Sequence, residues 1–279
     1  MNFFIFFITA LLAGFADAFW RLNCGLSQTG RVDPIVTPGK VSSHVHKIAG
    51  AANIALSTTY EDLQTAECTT CEVQADKSSY WTPQLYYQHG NGSFEDVKNG
   101  GMTVYYLGRG DQASNIKPFP KGFRMLSGDP LARSYNTEAK TYKETRPVAD
   151  RVSFACLDTA PIPESPGMNR TQCSNGLRAQ IHFQSCWNGK DLYKEDNSHV
   201  AYMSRIDNGE CPPTHPVQLI QLFYEVLYSM DSVKQDGGKF VFAHGDTTGL
   251  FPLLKIELGN LTDVSRLRFS WRFLEWMGC

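Results

Sequence analysis

Charge is scarce in this sequence: only 19% of its 279 residues are Asp, Glu, Lys or Arg, and the formal net charge is -2. That balance argues against a disordered polyelectrolyte tail and against bulk electrostatic capture of nucleic acid or anionic membrane. Long apolar runs are missing as well. Phe3 to Leu12, broken by Thr9, is shorter than the roughly 20 residues a bilayer span needs, and no later segment supplies one. There is no G-x-S-x-G elbow, no H-E-x-x-H helix, and no Walker or dinucleotide glycine loop, so no nucleotide or flavin is expected. Repeats, low-complexity tracts and interdomain linkers are also lacking.

What is present is a chain able to fill a core. Hydrophobic residues make up 42% and aromatics 12%, and eight cysteines, 23 glycines and 14 prolines suggest a loop-rich, oxidised protein. Ala16-Asp17-Ala18 fits the small-residue cleavage rule behind the Phe3 to Leu12 run. Residues 1–18 therefore read as a signal peptide, although its start lacks Lys and Arg, and the mature chain begins at Phe19. The expected location is secreted, extracellular or in a cell wall. A mature start of Phe19-Trp20 also lacks the amino-terminal histidine of a copper histidine brace. Sequons at Asn91, Asn169 and Asn260 read as glycan sites on exposed loops. Cys68-Thr-Thr-Cys71 has no second CxxC and no βαβ context, so an oxidised structural loop is favoured over a zinc or redox site. Cys156, Cys173, Cys186 and Cys211 sit where disulfides could tie strands together, in any of three pairings.

Short β-like runs recur: Met102 to Leu107, Arg151 to Leu157, Ala179 to Gln184, His199 to Met203 and Lys239 to Ala243. The longest, Val217 to Met230, would put Ile220, Leu222, Tyr224, Val226, Tyr228 and Met230 on one strand face. A helical reading would gather Leu219, Leu222, Phe223, Val226 and Leu227 instead, but the β-branched and aromatic content favours strand. The expected fold is mainly β: a single antiparallel β-sandwich or distorted β-barrel domain with long disulfide-tied loops.

The densest polar stretch runs from Arg31 to His46. In extended chain His44 and His46 project to one face. They could share a metal, with a third ligand from His89, His182, His199, His215, His244 or an aspartate. They could equally act as acid and base, since imidazoles titrate near neutral pH, or be two hydrogen-bonded strand residues with no catalytic part. Asp33, Lys40, Asp76, Lys77 and Arg178 are further candidates for acid, base or clamp roles. Trp81 is expected as an exposed platform for sugar stacking, with Arg124 and Asp129 as substrate-binding groups on a loop. A carboxylate pair for glycoside hydrolysis could come from Asp33, Asp76, Asp129 and Asp191, which spacing does not rank.

Several ordered blocks carry a resemblance. They are Arg31-Val-Asp-Pro-Ile-Val-Thr-Pro-Gly-Lys-Val-Ser-Ser-His-Val-His46, Asp76-Lys-Ser-Ser-Tyr-Trp-Thr-Pro83, Phe119-Pro-Lys-Gly-Phe-Arg-Met125, Gly176-Leu-Arg-Ala-Gln180, Ser185-Cys-Trp-Asn-Gly-Lys190 and Thr214-His-Pro-Val217. Together they resemble the secreted fungal family called domain of unknown function nineteen-ninety-six, some members of which are joined to WSC modules. The resemblance implies a cell-wall or plant-polysaccharide setting, with polysaccharide or cell-wall glucan as partner, and assigns no catalytic role. It covers residues 19–249. Family members usually continue into a Gly-Tyr-Gly-Phe-His-Gly-Asp-Phe segment. Here residues 250–279 do not follow that pattern, as a misread exon boundary or frameshift would produce, and Cys279 in that tail suggests at least one cysteine without its partner.

Two functions follow as expectations: a secreted carbohydrate-active enzyme, hydrolase or lyase, centred on His44 and His46, or a noncatalytic wall-associated carbohydrate-binding protein using Trp81.

Overall fold

A computed structural model describes residues 19–250 and the strand Leu254–Glu257. The expected signal peptide, Asn260 and Cys279 lie outside the described residues. The protein is mainly β, and every strand pair is antiparallel. The large sheet runs in the order Phe19–Cys24, Met102–Leu107, Gln221–Ser229, Leu177–His182 and Val152–Cys156, with Lys98–Asn99 pairing the end of its middle strand. A second sheet orders Leu26–Gly30, His46–Gly50, Ser79–Pro83, Leu254–Glu257 and Arg124–Ser127. Two three-stranded sheets complete the set, one of Lys239–Phe242, Leu85–Gln88 and Phe94–Asp96, the other of Val200–Ala201, Cys186–Trp187 and Val217–Gln218. Among the described residues no sheet closes into a barrel.

The alternation expected of the longest run is what builds the core. Ile220, Leu222, Tyr224, Val226, Tyr228 and Met230 are all buried, because successive strand residues point to opposite sides of a sheet. The run is interrupted after Gln218 and ends in a short 3-10 turn from Met230. The inner face of the large sheet meets the other sheets through aromatics. Tyr224 lies edge-on to Tyr80, with ring centroids 5.4 Å apart, and Tyr228 to Phe242 at 6.2 Å.

Ser79–Pro83 is buried along its whole length. Tyr80 faces the main core, while Trp81 turns to the opposite side and packs in a separate cluster with Ile35, Ile48 and Ile54. Trp81 is thus fully buried, which corrects the expectation of an exposed stacking platform. The physical reason is that this inner strand is covered on both faces, on the outer one by the loops either side of His46–Gly50, which carry Ile35 and Ile54.

Disulfides join Cys24 to Cys71, Cys156 to Cys173 and Cys186 to Cys211. Cys71 therefore bonds to the edge strand of the large sheet and not to Cys68, its partner in the CxxC. None of the described cysteines, Cys68 included, is a free thiol, and the expectation drawn from Cys279 falls outside the described residues. The one α-helix among the described residues, Tyr60–Gln64, is a single turn closed by a Thr59 capping box with Asp62.

Candidate functional site

The loop that presents His44 is built by short-range bonding. Asp33 is buried and its Oδ1 accepts the Val36 N–H at 3.1 Å, while its carbonyl accepts the Thr37 N–H at 3.0 Å, tightening the turn. Gly39 turns the chain at φ +72° and donates its N–H to Leu56. The Ser42 N–H then bonds the Arg31 carbonyl at 3.0 Å, closing the loop on its own start. Val45 leads into the strand His46–Gly50, and its carbonyl accepts the Gln84 N–H at 3.0 Å. The Gln84 carbonyl in turn accepts the Ala243 N–H at 2.8 Å. Gln84 is thus a main-chain bridge between the segment carrying His44 and His46 and the segment carrying His244.

Across that bridge the imidazoles gather. The His44 ring centroid lies 4.4 Å from that of His46 and 5.8 Å from that of His244. His46 is buried and His44 and His244 are half-buried, with His44 Nε2 and both His244 ring nitrogens themselves turned away from solvent. His244 stacks on Phe242 with centroids 6.0 Å apart and planes 19° apart. Ser43 Oγ stands 3.0 Å from His44 Nδ1. The turn after His244 is closed by Asp246, whose Oδ1 accepts both the Thr248 N–H and its hydroxyl, at 2.8 and 2.7 Å. The other carboxylate oxygen, Asp246 Oδ2, is buried with no hydrogen-bond partner among the described residues.

Of the sequence-predicted residues, the structure brings His44 and His46 together and leaves the others elsewhere. Lys40 is exposed in the Gly39 turn. Asp76 is buried in the core. It accepts hydrogen bonds from the Ser78 N–H at 2.9 Å and from the Tyr80 hydroxyl, itself 2.8 Å from the Tyr106 hydroxyl. Burial raises its pKa above the usual carboxylate value, against the lowering effect of the Ser78 and Tyr80 bonds. Since Tyr80 and Trp81 face opposite ways, the Asp76 network lies across the strand from the face of Trp81, which Ile48 and His46 share. Lys77 reaches the Glu67 carbonyl at 3.5 Å. Arg178 sits on the large sheet, paired with Glu164 and Glu225 at 3.3 and 3.4 Å. Arg124 opens a strand three places from His46–Gly50 in the second sheet, about 14 Å away at ordinary strand spacing. Asp129 is exposed and accepts the Leu131 N–H in its own turn, and Asp191 is held by Asn188 and Lys194. Each of the four carboxylates, Asp33, Asp76, Asp129 and Asp191, is engaged by neighbours of its own.

The other histidines are engaged away from the cluster: His89 with Asp236 and Glu95, His182 with Gln221, His199 with the Arg124 carbonyl and His215 with the Ser198 carbonyl. His244 alone of the third-ligand candidates joins His44. Among the described residues no group of three or more His, Cys, Asp or Glu side chains has the arrangement to hold a metal ion. Gln84 and Phe242 went unmarked in the sequence, where nothing local distinguishes a bridging glutamine from any buried one.

Of the two described sequons, Asn91 is exposed at a hairpin tip and its side-chain carbonyl accepts the Ser93 N–H and hydroxyl at 2.9 and 2.7 Å; Asn169 is also exposed. Comparison with known proteins gives one further finding: the model of the family described as Domain of unknown function (DUF1996) matches residues 33–251. No curated protein and no solved structure matches.

Proposed function

The chain belongs to the DUF1996 family, and on that premise we propose that it is a secreted carbohydrate-active enzyme, a hydrolase or lyase of cell-wall or plant polysaccharide, that works by imidazole acid–base chemistry. The observation that carries this reading is the approach of His244, from a distant segment of the chain, to His44 and its neighbour His46. Cleaving a glycosidic bond requires one group to take a proton and another to give one, and imidazoles do both near neutral pH. His44 and His244 are the less buried members and are assigned the acid and base, with His46 packed against His44.

Secretion is supported by the leader-like amino terminus and by the three disulfides, which persist in oxidising compartments. Among the described residues no helix is long and apolar enough to cross a membrane. Exposure of Asn91 and Asn169 fits glycosylation at both.

The test is a polysaccharide panel assayed for new reducing ends, the mark of hydrolysis, and new unsaturated ends, the mark of elimination. Wild type should form one or the other, and His44→Ala and His46→Ala should not. Undiminished product from both variants would remove these histidines from the mechanism. A noncatalytic wall-binding role is the second reading, and with Trp81 buried it needs a binding surface elsewhere.

A further inference from the structure

The outward face of the large sheet supplies such a surface. Residues opposite one another in antiparallel strands share a face, and the register therefore defines two rows across the sheet. The first is Arg21, Tyr105, Phe223 and His182. The second is Asn23, Thr103, Glu225, Gln180 and Ser153. Arg21 and Asn23 are exposed, Tyr105, Phe223, His182, Thr103, Glu225 and Ser153 are half-buried and Gln180 is buried, so the rows are most open at the Arg21–Asn23 edge and partly open beyond it. Five strands at the ordinary spacing make a face about 19 Å across.

These side chains are tied to one another. Tyr105 donates its hydroxyl to Glu225 at 2.8 Å, and Arg178 pairs with Glu225 on one side and Glu164 on the other. Ser153 donates to Glu164 at 3.0 Å and receives Gln180 at 2.7 Å, while Thr103 donates to Asn23 at 3.1 Å. The Tyr105 and Phe223 rings lie 5.5 Å apart. Burial, and then the Glu225 carboxylate, push the Tyr105 pKa up to about 12, so its hydroxyl keeps its proton.

We propose that this face is a docking platform for a strand of neutral polysaccharide, distinct from the imidazole cluster. Two aromatic rings offer the apolar contact that the C–H faces of pyranose rings need, and the flanking amides, hydroxyls and carboxylates offer donors and acceptors for their hydroxyls. Because the polar groups are already held in place, little ordering entropy is lost on binding. Charge selects the neutral class: Arg178 is matched on both sides by carboxylates, and Arg21 is the one Arg or Lys in the two rows, so no cation cluster forms for an acidic polymer. The ligand class coincides with the proposed substrate, but binding is measured without turnover, so the two readings fail separately.

The experiment is binding of the full chain carrying His44→Ala to insoluble β-glucan, cellulose, chitin and mannan, with polygalacturonate and chitosan as charged comparisons. Binding to at least one neutral polymer is expected, insensitive to salt, and weakened about tenfold by Tyr105→Ala or Phe223→Ala. Thr103→Arg, which removes no packed ring, should block the face to a similar extent and covers the case in which a ring deletion unfolds the chain. Failure to bind any neutral polymer, salt-sensitive binding to a charged one alone, or full binding by folded Thr103→Arg would overturn the proposal.

Discussion

Gln84 hydrogen-bonds through its backbone to Val45 on one side and Ala243 on the other, at 3.0 and 2.8 Å, and so sets His44 beside His244 with ring centroids 5.8 Å apart. The site is therefore a product of sheet topology. Neither histidine segment forms it alone.

Trp81 packs against Ile35, Ile48 and Ile54 and is fully buried. Trp81→Ala should cost about 3–5 kcal/mol of stability, read as a lower denaturation midpoint, with polysaccharide affinity unchanged at temperatures where the variant is folded. A stable variant with weakened binding would restore the stacking role.

The Asp76 carboxyl is placed as a structural acceptor for Tyr80 and Ser78. Asp76→Asn should keep the fold and activity, because an amide retains one acceptor and burial already disfavours the charged form. Asp76→Ala should lose about 1–3 kcal/mol by leaving buried donors unpaired. Loss of turnover in a stably folded Asp76→Asn would make the residue catalytic.

Two histidines should titrate in opposite directions. Hydrogen bonds donated by His89 to Asp236 and then to Glu95 raise its pKa, against partial desolvation, so its contribution is full below the ordinary histidine value and disappears as pH rises through the raised one. Burial pulls His182 down to about 4. The unfolded chain then binds the extra proton between about 6.5 and 4, and stability falls as pH drops through that window. Ring-proton NMR checks both, and Asp236→Asn should bring His89 back toward its ordinary value. Equal, unshifted titrations would contradict the assignment.

Peptide mapping without reduction should recover Cys24 with Cys71, Cys156 with Cys173 and Cys186 with Cys211. Replacing the Cys24–Cys71 pair should cost about 2–5 kcal/mol, since it closes a long loop. Recovery of a Cys68–Cys71 peptide would contradict this connectivity.

Much of this architecture was legible in periodicity. Met102–Leu107 coincides with its expected strand, and the buried face of Gln221–Ser229 is the one that alternation selects. His44 and His46 do lie side by side, but His44 sits in a bend ahead of the strand that His46 opens, so the alternation of extended chain is not what places it. Trp81 was misread because alternation shows which residues share a face and not whether both faces are covered. His244 could only be named as one of several partners, since its approach depends on hydrogen bonds through Gln84 that no local pattern encodes.

The most direct test of the imidazole site is His244→Ala, assayed on whichever polysaccharide the wild type cleaves. The account predicts a loss of turnover of about a hundredfold or more, with an unchanged denaturation midpoint and retained polysaccharide binding. Wild-type turnover in a folded His244→Ala protein would contradict it.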